Sequence, residues 1–195
     1  MTISTRPNLT FEAYLTYDDG TDNRYQWVDG ALIEMPPESA ENDEIARALG
    51  YQYLVKLAGF FQVRTHNCEI EVPVLRPGLP RNRYPDLVIL RLEHRQLTRQ
   101  RLTIRLEMPE PILVVEVVSP GQANIERDYQ DKRAQYQARG IPEYWLIHPE
   151  QQIVMVLTLV DDVYQEKSFQ GKEQIISRAF PTLNLTVEQV LNPQE

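Results

Sequence analysis

Cysteine, histidine and long apolar runs are all scarce in this chain of 195 residues. The single cysteine, Cys68, excludes an intramolecular disulfide and a cysteine-based zinc site, and we expect it to be a buried structural thiol. One cysteine and three scattered histidines form no spacing typical of a nucleophilic triad. No apolar run is long enough to cross a membrane, and the N-terminus lacks the apolar core of a signal peptide. These features predict a cytoplasmic protein that does not associate with membranes.

The length of the chain and its 42% hydrophobic content predict one domain over residues 1–195. Hydrophobic periodicity and turn residues predict a mixed central β-sheet flanked by helices, in the α/β or α+β class. Ser39 is a favourable N-cap for a long helix that ends at Gly59, and Asp29-Gly30 is typical of a hairpin turn. The predicted helices cover 8–15, 39–58, 123–139 and 186–191, and the hairpin covers 24–35. The predicted strands cover 60–72, as one long strand or two short ones, the runs around Asp86 and Glu116, 143–147, 153–159 and 163–169.

One acidic residue, Glu116, interrupts the β-branched and aliphatic run Pro111-Ile-Leu-Val-Val-Glu-Val-Val-Ser-Pro120. Such a run predicts a central strand covered on both faces, where an ionised carboxylate is costly unless a cation or hydrogen-bond donors compensate it. A second strand-like run, Tyr84-Pro-Asp86-Leu-Val-Ile-Leu90, carries Asp86 in the same way. Two carboxylates on adjacent buried strands predict a divalent-cation site. For each acid alone, the alternative is a strand end, an edge position or a structural pair with arginine.

A lysine beside Glu116 would compensate the buried carboxylate and could hold an attacking water or a developing negative charge. Side chains alternate along a strand, so position 118 shares a face with Glu116, but the residue there is Val118. On the following predicted helix, Asp128, Lys132 and Tyr136 lie on one face at four-residue intervals. If that helix packs over the strand, Lys132 brings its ammonium group to the place that Val118 leaves without one. The alternative is an ordinary surface pair between Asp128 and Lys132, worth a few tenths of a kcal/mol.

The charge of the chain is unevenly distributed. The net charge of −8 argues against a protein that coats nucleic acid. In the segment 76–105, however, eight arginines against two acids give +6, which leaves −14 for the rest of the chain. This segment either grips a phosphate backbone or is a solvated loop whose arginines pair with the acidic remainder. The arginines expected to contact DNA are Arg81, Arg83, Arg95 and Arg99.

An ordered series of short motifs indicates a family. The series is Pro85-Asp86, Glu116-Val-Val-Ser-Pro120, Asp128, Lys132, Tyr136, Gly140-Ile-Pro-Glu-Tyr-Trp145 and Ile147-His-Pro149. It resembles the putative restriction-endonuclease family of the PD-(D/E)XK nuclease superfamily, and the resemblance covers nearly the whole chain. The resemblance implies a restriction-endonuclease-like core, a DNA substrate and acids that bind Mg²⁺, with Mn²⁺ as the alternative. It also implies that the usual motif lysine has moved from position 118 to Lys132.

The resemblance further implies metal-dependent endonuclease chemistry, in which phosphodiester bonds are hydrolysed. Asp86, Glu116 and the backbone carbonyl of Val117 would hold the metal, and Lys132 would orient the attacking water or stabilise the transition state. The first core helix of such proteins commonly presents a histidine or glutamate to the metal, but Asn42 occupies the histidine position here. The residues expected to complete or support the site are Glu41, Asn42, Glu44, Asp128 and Tyr136.

A different class of function remains open at this stage. The acidic surface and the missing lysine at position 118 favour an inactive nuclease-fold module that binds nucleic acid or protein, or an inert subunit of a larger complex. Retention of Asp86, Glu116 and Lys132 favours the enzyme. A homodimer agrees with double-strand cutting, although no sequence feature establishes it.

Overall fold

The computed structural model of the protein describes residues 8–121, 124 and 126–193. The strands are β1 (Tyr25–Val28), β2 (Ala31–Glu34), β3 (Val63–Thr65), β4 (Glu69–Glu71), β5 (Asn82–Arg83), β6 (Leu87–Ile89), β7 (Thr103–Ile104), β8 (Leu113–Val117), β9 (Glu143–His148), β10 (Ile153–Val160) and β11 (Val163–Gln170). The helices are α1 (Phe11–Leu15), α2 (Ala40–Ala48, extended by a π-helical segment Leu49–Leu54 and by Val55–Ala58), α3 (His94–Leu97), α4 (a π-helical segment Arg127–Lys132 followed by Arg133–Arg139) and α5 (Val187–Leu191).

Local signals set the ends of α2 and the turn of the first hairpin, as predicted. The Oγ atom of Ser39 accepts a hydrogen bond from the backbone N–H of Asn42 at 3.2 Å, which satisfies a free donor at the start of α2. Gly59 ends the helix with φ = 101°, a conformation that residues with a Cβ rarely adopt. Asp29 and Gly30 both have positive φ and join β1 to β2, so the predicted hairpin is confirmed.

Two predicted regions need comment. The region 60–72, predicted as one long strand or two short ones, contains two short strands, β3 and β4, because the backbone turns at His66, where φ is 55°. The predicted helix over 123–139 is described only in part, and its expected start at Ala123 lies outside the described residues. The same is true of both ends of the predicted domain, 1–7 and 194–195.

The largest sheet positions the candidate site. Its strand order is β11-β10-β9-β8-β6-β3, and β8 and β9 are parallel while the other neighbours are antiparallel. Strand β8 is central and all its residues are buried, which explains why every residue except Glu116 is aliphatic. The prediction of a mixed sheet flanked by helices is confirmed.

Both faces of β8 pack against helices. On one face Val115 and Val117 join the core that includes Ile45 and Leu49 of α2. On the other face Val114 and Val118 join the core that includes Tyr136 of α4. Because side chains alternate along a strand, Glu116 points with Val114 toward α4. Burial of these aliphatic side chains stabilises the sheet by about 1.5–3 kcal/mol each.

Two smaller sheets complete the described fold. Strands β5, β4 and β7 form a three-stranded sheet, and β1 with β2 forms a hairpin that packs with α1 around a separate apolar cluster. Among the described residues no helix has the length and apolar character required to span a bilayer.

Candidate active site

Glu116 accepts hydrogen bonds on both of its carboxylate oxygens, from two residues of α4. The Nζ atom of Lys132 donates to Oε2 at 2.6 Å, and the hydroxyl of Tyr136 donates to Oε1 at 2.7 Å. Only 1% of the Glu116 surface is exposed, so these donors are what makes an ionised carboxylate tolerable inside the sheet. The helix therefore brings Lys132 to the face of the strand on which Val118 replaces the expected lysine.

Lys132 is held between two carboxylates. Its Nζ atom also lies 2.9 Å from Oδ1 of Asp128, one turn earlier on the helix. Asp128 in turn pairs with the guanidinium of Arg127, whose Nε atom lies 3.1 Å from Oδ1. The segment Arg127–Lys132 is π-helical, a wider coil that often occurs at functional sites. The surface-pair alternative is excluded by burial, since only 1% of Asp128 and 8% of Lys132 are exposed.

Asp86 immediately precedes β6, the strand that pairs with the Glu116 strand. Leu87 pairs with Val115, so the antiparallel register, continued by one residue, places Asp86 opposite Glu116. The Oδ2 atom of Asp86 accepts a hydrogen bond from the backbone N–H of Val117 at 2.6 Å. Asp86, Glu116 and Lys132, which are separated in sequence, therefore meet at one place.

Two further residues that the sequence analysis did not assign lie beside Asp86. The Nδ1 atom of His66 lies 3.4 Å from Oδ1 of Asp86, and its Nε2 atom lies 3.3 Å from Oδ1 of Asp43. Potential ligand atoms of Glu38, His66 and Asp86 all lie within 4.8 Å of one another. No local pattern marks Glu38 or His66, because they reach Asp86 only through the folding of separate parts of the chain.

The start of α2 contributes Asn42 to the site. The Nδ2 atom of Asn42 donates to the carbonyl oxygen of Val117 at 3.2 Å and to Oγ of Ser119 at 2.9 Å. Asn42 thus contacts the carbonyl that was expected to bind metal, and it is buried. Glu41 and Glu44 are exposed and lie outside the cluster of Glu38, His66 and Asp86.

Burial and mutual charge shift the pKa values of the central groups. Burial raises the pKa of Glu116 above its ordinary value, and the nearby Lys132 only partly offsets this effect. Burial would lower the pKa of Lys132, but Glu116 and Asp128 outweigh it and hold the pKa above its usual range. Burial would raise the pKa of Asp128, but Lys132 and Arg127 outweigh it and depress that pKa. Lys132 is therefore a permanent cation at neutral pH.

Most arginines of the basic segment have partners within the protein. Arg83 is 2% exposed, and its Nε and Nη2 atoms donate to Oε1 of Gln135 at 2.9 and 2.7 Å. The Nε atom of Arg81 donates to Oε1 of Glu71 at 2.9 Å, and its guanidinium also lies 4.5 Å from the centre of the Phe11 ring. The other paired arginines are Arg76 with Asp131, Arg91 with Glu110, Arg101 with Glu69 and Arg105 with Glu71. The side chains of Arg95 and Arg99 are exposed.

The donor set fits a divalent cation. Asp86 and Glu116 supply carboxylate oxygens and Val117 supplies a carbonyl oxygen, which are the ligands that Mg²⁺ and Mn²⁺ prefer. Both ring nitrogens of His66 are buried and make no hydrogen bond within the described part of the chain. Each nitrogen nevertheless lies at ion-pair distance from a carboxylate, so the ring either bridges Asp86 and Asp43 as an imidazolium or serves as a ligand of a bound ion.

A central mixed sheet whose neighbouring strands present Asp86 and Glu116, with Lys132 beside them, defines a restriction-endonuclease-like fold. A family model described as "Uma2: Putative restriction endonuclease" matches residues 11–188. The chain therefore belongs to this family, as the resemblance predicted. The family assignment supports a nuclease function.

The fold was also compared with solved structures, and the sequence with curated proteins. The fold is similar to the crystal structure of a protein from Anabaena variabilis ATCC 29413, described as a putative nuclease belonging to DUF820. The TM-score is 0.64 at 13% sequence identity, and the match covers 94% of this chain and 97% of that chain. At this identity the similarity shows the fold alone. Comparison with curated proteins gives no match.

Proposed function

We propose that this chain is a metal-dependent DNA endonuclease that hydrolyses phosphodiester bonds, built as one restriction-endonuclease-like domain over residues 1–195 and acting in the cytoplasm. The observation that carries the proposal is the meeting of Asp86, Glu116 and Lys132 from β6, β8 and α4. Two neighbouring acids, with a cation in contact with one of them, form the minimal set for hydrolysis of a phosphate ester. The family assignment agrees with this chemistry.

Each residue has a distinct role in this proposal. Asp86, Glu116 and the carbonyl of Val117 would hold Mg²⁺, with Mn²⁺ as the alternative. A bound divalent ion lowers the pKa of a water ligand and neutralises charge on the scissile phosphate. Lys132 carries the charge that holds the attacking water or the developing negative oxygen. Asp128 and Tyr136 position Lys132 and Glu116 through the contacts at 2.9 and 2.7 Å.

DNA is the proposed substrate, and the exposed arginines are the proposed backbone contacts. Arg95 and Arg99 have exposed side chains in the basic segment. Arg81 is only partly exposed and Arg83 is buried, so we assign the DNA contact chiefly to Arg95 and Arg99. Cleavage of both strands would require two sites, and a homodimer would supply them.

The test is a cleavage assay on supercoiled, linear duplex and single-stranded DNA with Mg²⁺ or Mn²⁺. We expect metal-dependent cleavage by the wild type and none by Asp86→Asn or Glu116→Gln. Asp131→Asn is the matched control, because it also neutralises a carboxylate but Asp131 pairs with the exposed Arg76 rather than with Glu116 or Lys132. Equal cleavage by the wild type and Glu116→Gln would refute the proposal.

One observation favours an inactive nuclease-fold module as a second candidate. Both oxygens of Glu116 are already occupied by protein donors, which is the arrangement of a structural buried carboxylate. A metal would have to compete with Lys132 and Tyr136 for that carboxylate. Wild-type protein that binds DNA or protein, but binds no divalent ion in calorimetric titration and cuts no substrate, would establish the module.

A further inference from the structure

The surroundings of His66 differ from those of the other two histidines. His94 uses both ring nitrogens, since Nδ1 accepts from the backbone N–H of Arg91 at 3.0 Å and Nε2 lies 2.8 Å from the carbonyl oxygen of Pro109. His148 accepts a hydrogen bond on Nδ1 from the backbone N–H of Gln151, and its buried Nε2 makes no hydrogen bond among the described residues, but no carboxylate pairs with either of its nitrogens there. His66 has carboxylates near both nitrogens but makes no hydrogen bond within the described residues.

The distances around His66 suit metal ligands better than hydrogen bonds. Its Nδ1 atom and Oδ1 of Asp86 are 3.4 Å apart, longer than a well-formed N–H···O bond. Two adjacent ligands of one octahedral ion, each bound at about 2.1 Å, lie about 3 Å from each other. Glu38 supplies a third potential ligand, because ligand atoms of Glu38, His66 and Asp86 lie within 4.8 Å of one another.

The backbone holds His66 in this position at a cost. Its φ of 55° lies in the left-handed region, which few residues other than glycine adopt, although histidine enters it more readily than most. Its N–H donates to the carbonyl oxygen of Asp86 at 3.1 Å, and its own carbonyl accepts from Nη1 of Arg24 at 2.6 Å. The Nη2 atom of Arg24 also lies 3.6 Å from Oε1 of Glu38. Residues held in sparsely populated backbone conformations cluster at functional sites.

Negative charge is concentrated around this group. The carboxylates of Asp86 and Asp43 lie 3.4 and 3.3 Å from the two ring nitrogens of His66, and Glu38 offers a third carboxylate within 4.8 Å of His66 and Asp86. A cation bound between such groups reduces the repulsion between their negative charges. The Asp86 carboxylate is shared with the proposed catalytic centre, and it has one oxygen on each side: Oδ2 faces the N–H of Val117 and Oδ1 faces His66.

We infer that Glu38, His66 and Asp86 form a divalent-cation site with an imidazole ligand, adjoining Glu116, and that this ligand makes the protein prefer Mn²⁺ to Mg²⁺. Mg²⁺ takes oxygen ligands almost exclusively, whereas first-row transition ions accept an imidazole nitrogen. The inference rests on the proposed function only in sharing Asp86. The rival arrangement is a protonated imidazole that bridges Asp86 and Asp43 with no ion bound.

The test is electron spin-echo spectroscopy of Mn²⁺ added to the purified full chain, because it detects a nitrogen bonded directly to the ion. We expect a nitrogen coupling in the wild type that is lost in His66→Asn, since asparagine tolerates the left-handed turn but has no imidazole. His148→Asn is the matched control and keeps the coupling. Titration of His66→Asn should show Mn²⁺ affinity lowered about 10-fold or more and Mg²⁺ affinity nearly unchanged.

A second variant separates the ligands. Glu38→Gln leaves His66 in place, so it should weaken Mn²⁺ binding while the nitrogen coupling persists. Wild-type protein that binds Mn²⁺ without nitrogen coupling overturns the inference and leaves the proposed nuclease intact if Glu116→Gln abolishes cleavage. A nitrogen coupling in a protein that cuts no DNA supports the site and refutes the nuclease. Absence of Mn²⁺ binding overturns the inference in favour of the bridging imidazole.

Discussion

The Nζ atom of Lys132 lies 2.6 Å from Oε2 of Glu116, across the contact between α4 and the central strand β8. The nearest lysine candidate along the strand would be at position 118, and the residue there is Val118. The ammonium group therefore reaches the carboxylate from a different element, while the strand keeps an apolar side chain that packs in the core. The helix, rather than the strand, therefore supplies the cation beside Glu116.

We predict that Lys132→Gln lowers the DNA cleavage rate at least about 100-fold, because it removes the cation that stabilises developing negative charge. Metal affinity should stay the same or rise, since Glu116 loses its competing partner. Rate assays and calorimetric metal titrations check the two parts. Arg133→Gln is the control on the same helix, because Arg133 pairs with Glu166 at the surface. Cleavage by Lys132→Gln at the wild-type rate would contradict this role.

Removal of the Asp128 carboxylate should destabilise the protein in a pH-dependent way. Breaking a buried ion pair lowers the free energy of unfolding by about 3–5 kcal/mol. Because Lys132 still pairs with Glu116 in Asp128→Asn, we expect a loss of about 3 kcal/mol at pH 7. The folded-state pKa of Asp128 is depressed below the ordinary 3.8. The stabilisation that the ionised Asp128 contributes is therefore fully present above pH 3.8, the unfolded-state pKa, and is lost as the pH falls through its folded-state pKa.

Urea unfolding of the wild type and Asp128→Asn at pH 7 and at steps below pH 4 measures this difference. The difference in the free energy of unfolding between the wild type and Asp128→Asn should become smaller at the lowest pH values. Asp131→Asn, which breaks an exposed pair with Arg76, should cost less than about 1 kcal/mol at any pH. If the difference in the free energy of unfolding instead grew on acidification, the Asp128 carboxylate would not be the ionised partner of Lys132.

Tyr136→Phe tests the hydroxyl on the other oxygen of Glu116. A hydrogen bond to a charged group contributes about 1.5–3 kcal/mol, so we expect a loss of that size in the free energy of unfolding. Metal affinity should not fall, because Oε1 of Glu116 becomes available. Tyr164→Phe is the matched control, since its buried hydroxyl donates to the carbonyl of Ile141, a neutral acceptor away from Glu116, and should cost about 1 kcal/mol. Equal losses in the two variants would mean that Glu116 is uncharged in the folded protein.

The basic segment should divide into arginines that bind DNA and arginines that stabilise the fold. We predict that the double variant Arg95→Gln/Arg99→Gln weakens DNA binding. The slope of log affinity against log salt concentration should fall by the amount expected for the loss of about two phosphate contacts. Arg83→Gln should leave DNA affinity unchanged but reduce stability by about 2 kcal/mol, because Arg83 is buried against Gln135. Fluorescence anisotropy at several salt concentrations and urea unfolding measure both effects. A reduced salt slope in Arg83→Gln would contradict this division.

Much of the secondary structure and two of the central acids follow from local sequence. The Ser39 cap, the Asp29-Gly30 turn and the glycine at 59 act through backbone geometry within a few residues, so their effects can be read directly. Glu116 can be recognised from local sequence too. A carboxylate inside an apolar run that predicts a buried strand must be desolvated, so it is unexpected there unless a partner compensates it. Helical periodicity places Asp128, Lys132 and Tyr136 on one face, though it leaves open what that face contacts.

Tertiary structure alone decided the rest of the site. His66 and Glu38 meet Asp86 only because β3 pairs with β6 and the start of α2 packs beside them, and no short-range pattern encodes those long-range registers. The same holds for the arginines, since Arg83 and Arg99 lie in one basic stretch of sequence but one is buried and the other exposed. Charge and spacing along a chain specify which groups are available, whereas strand register and helix packing determine which of them come within a few ångströms of each other.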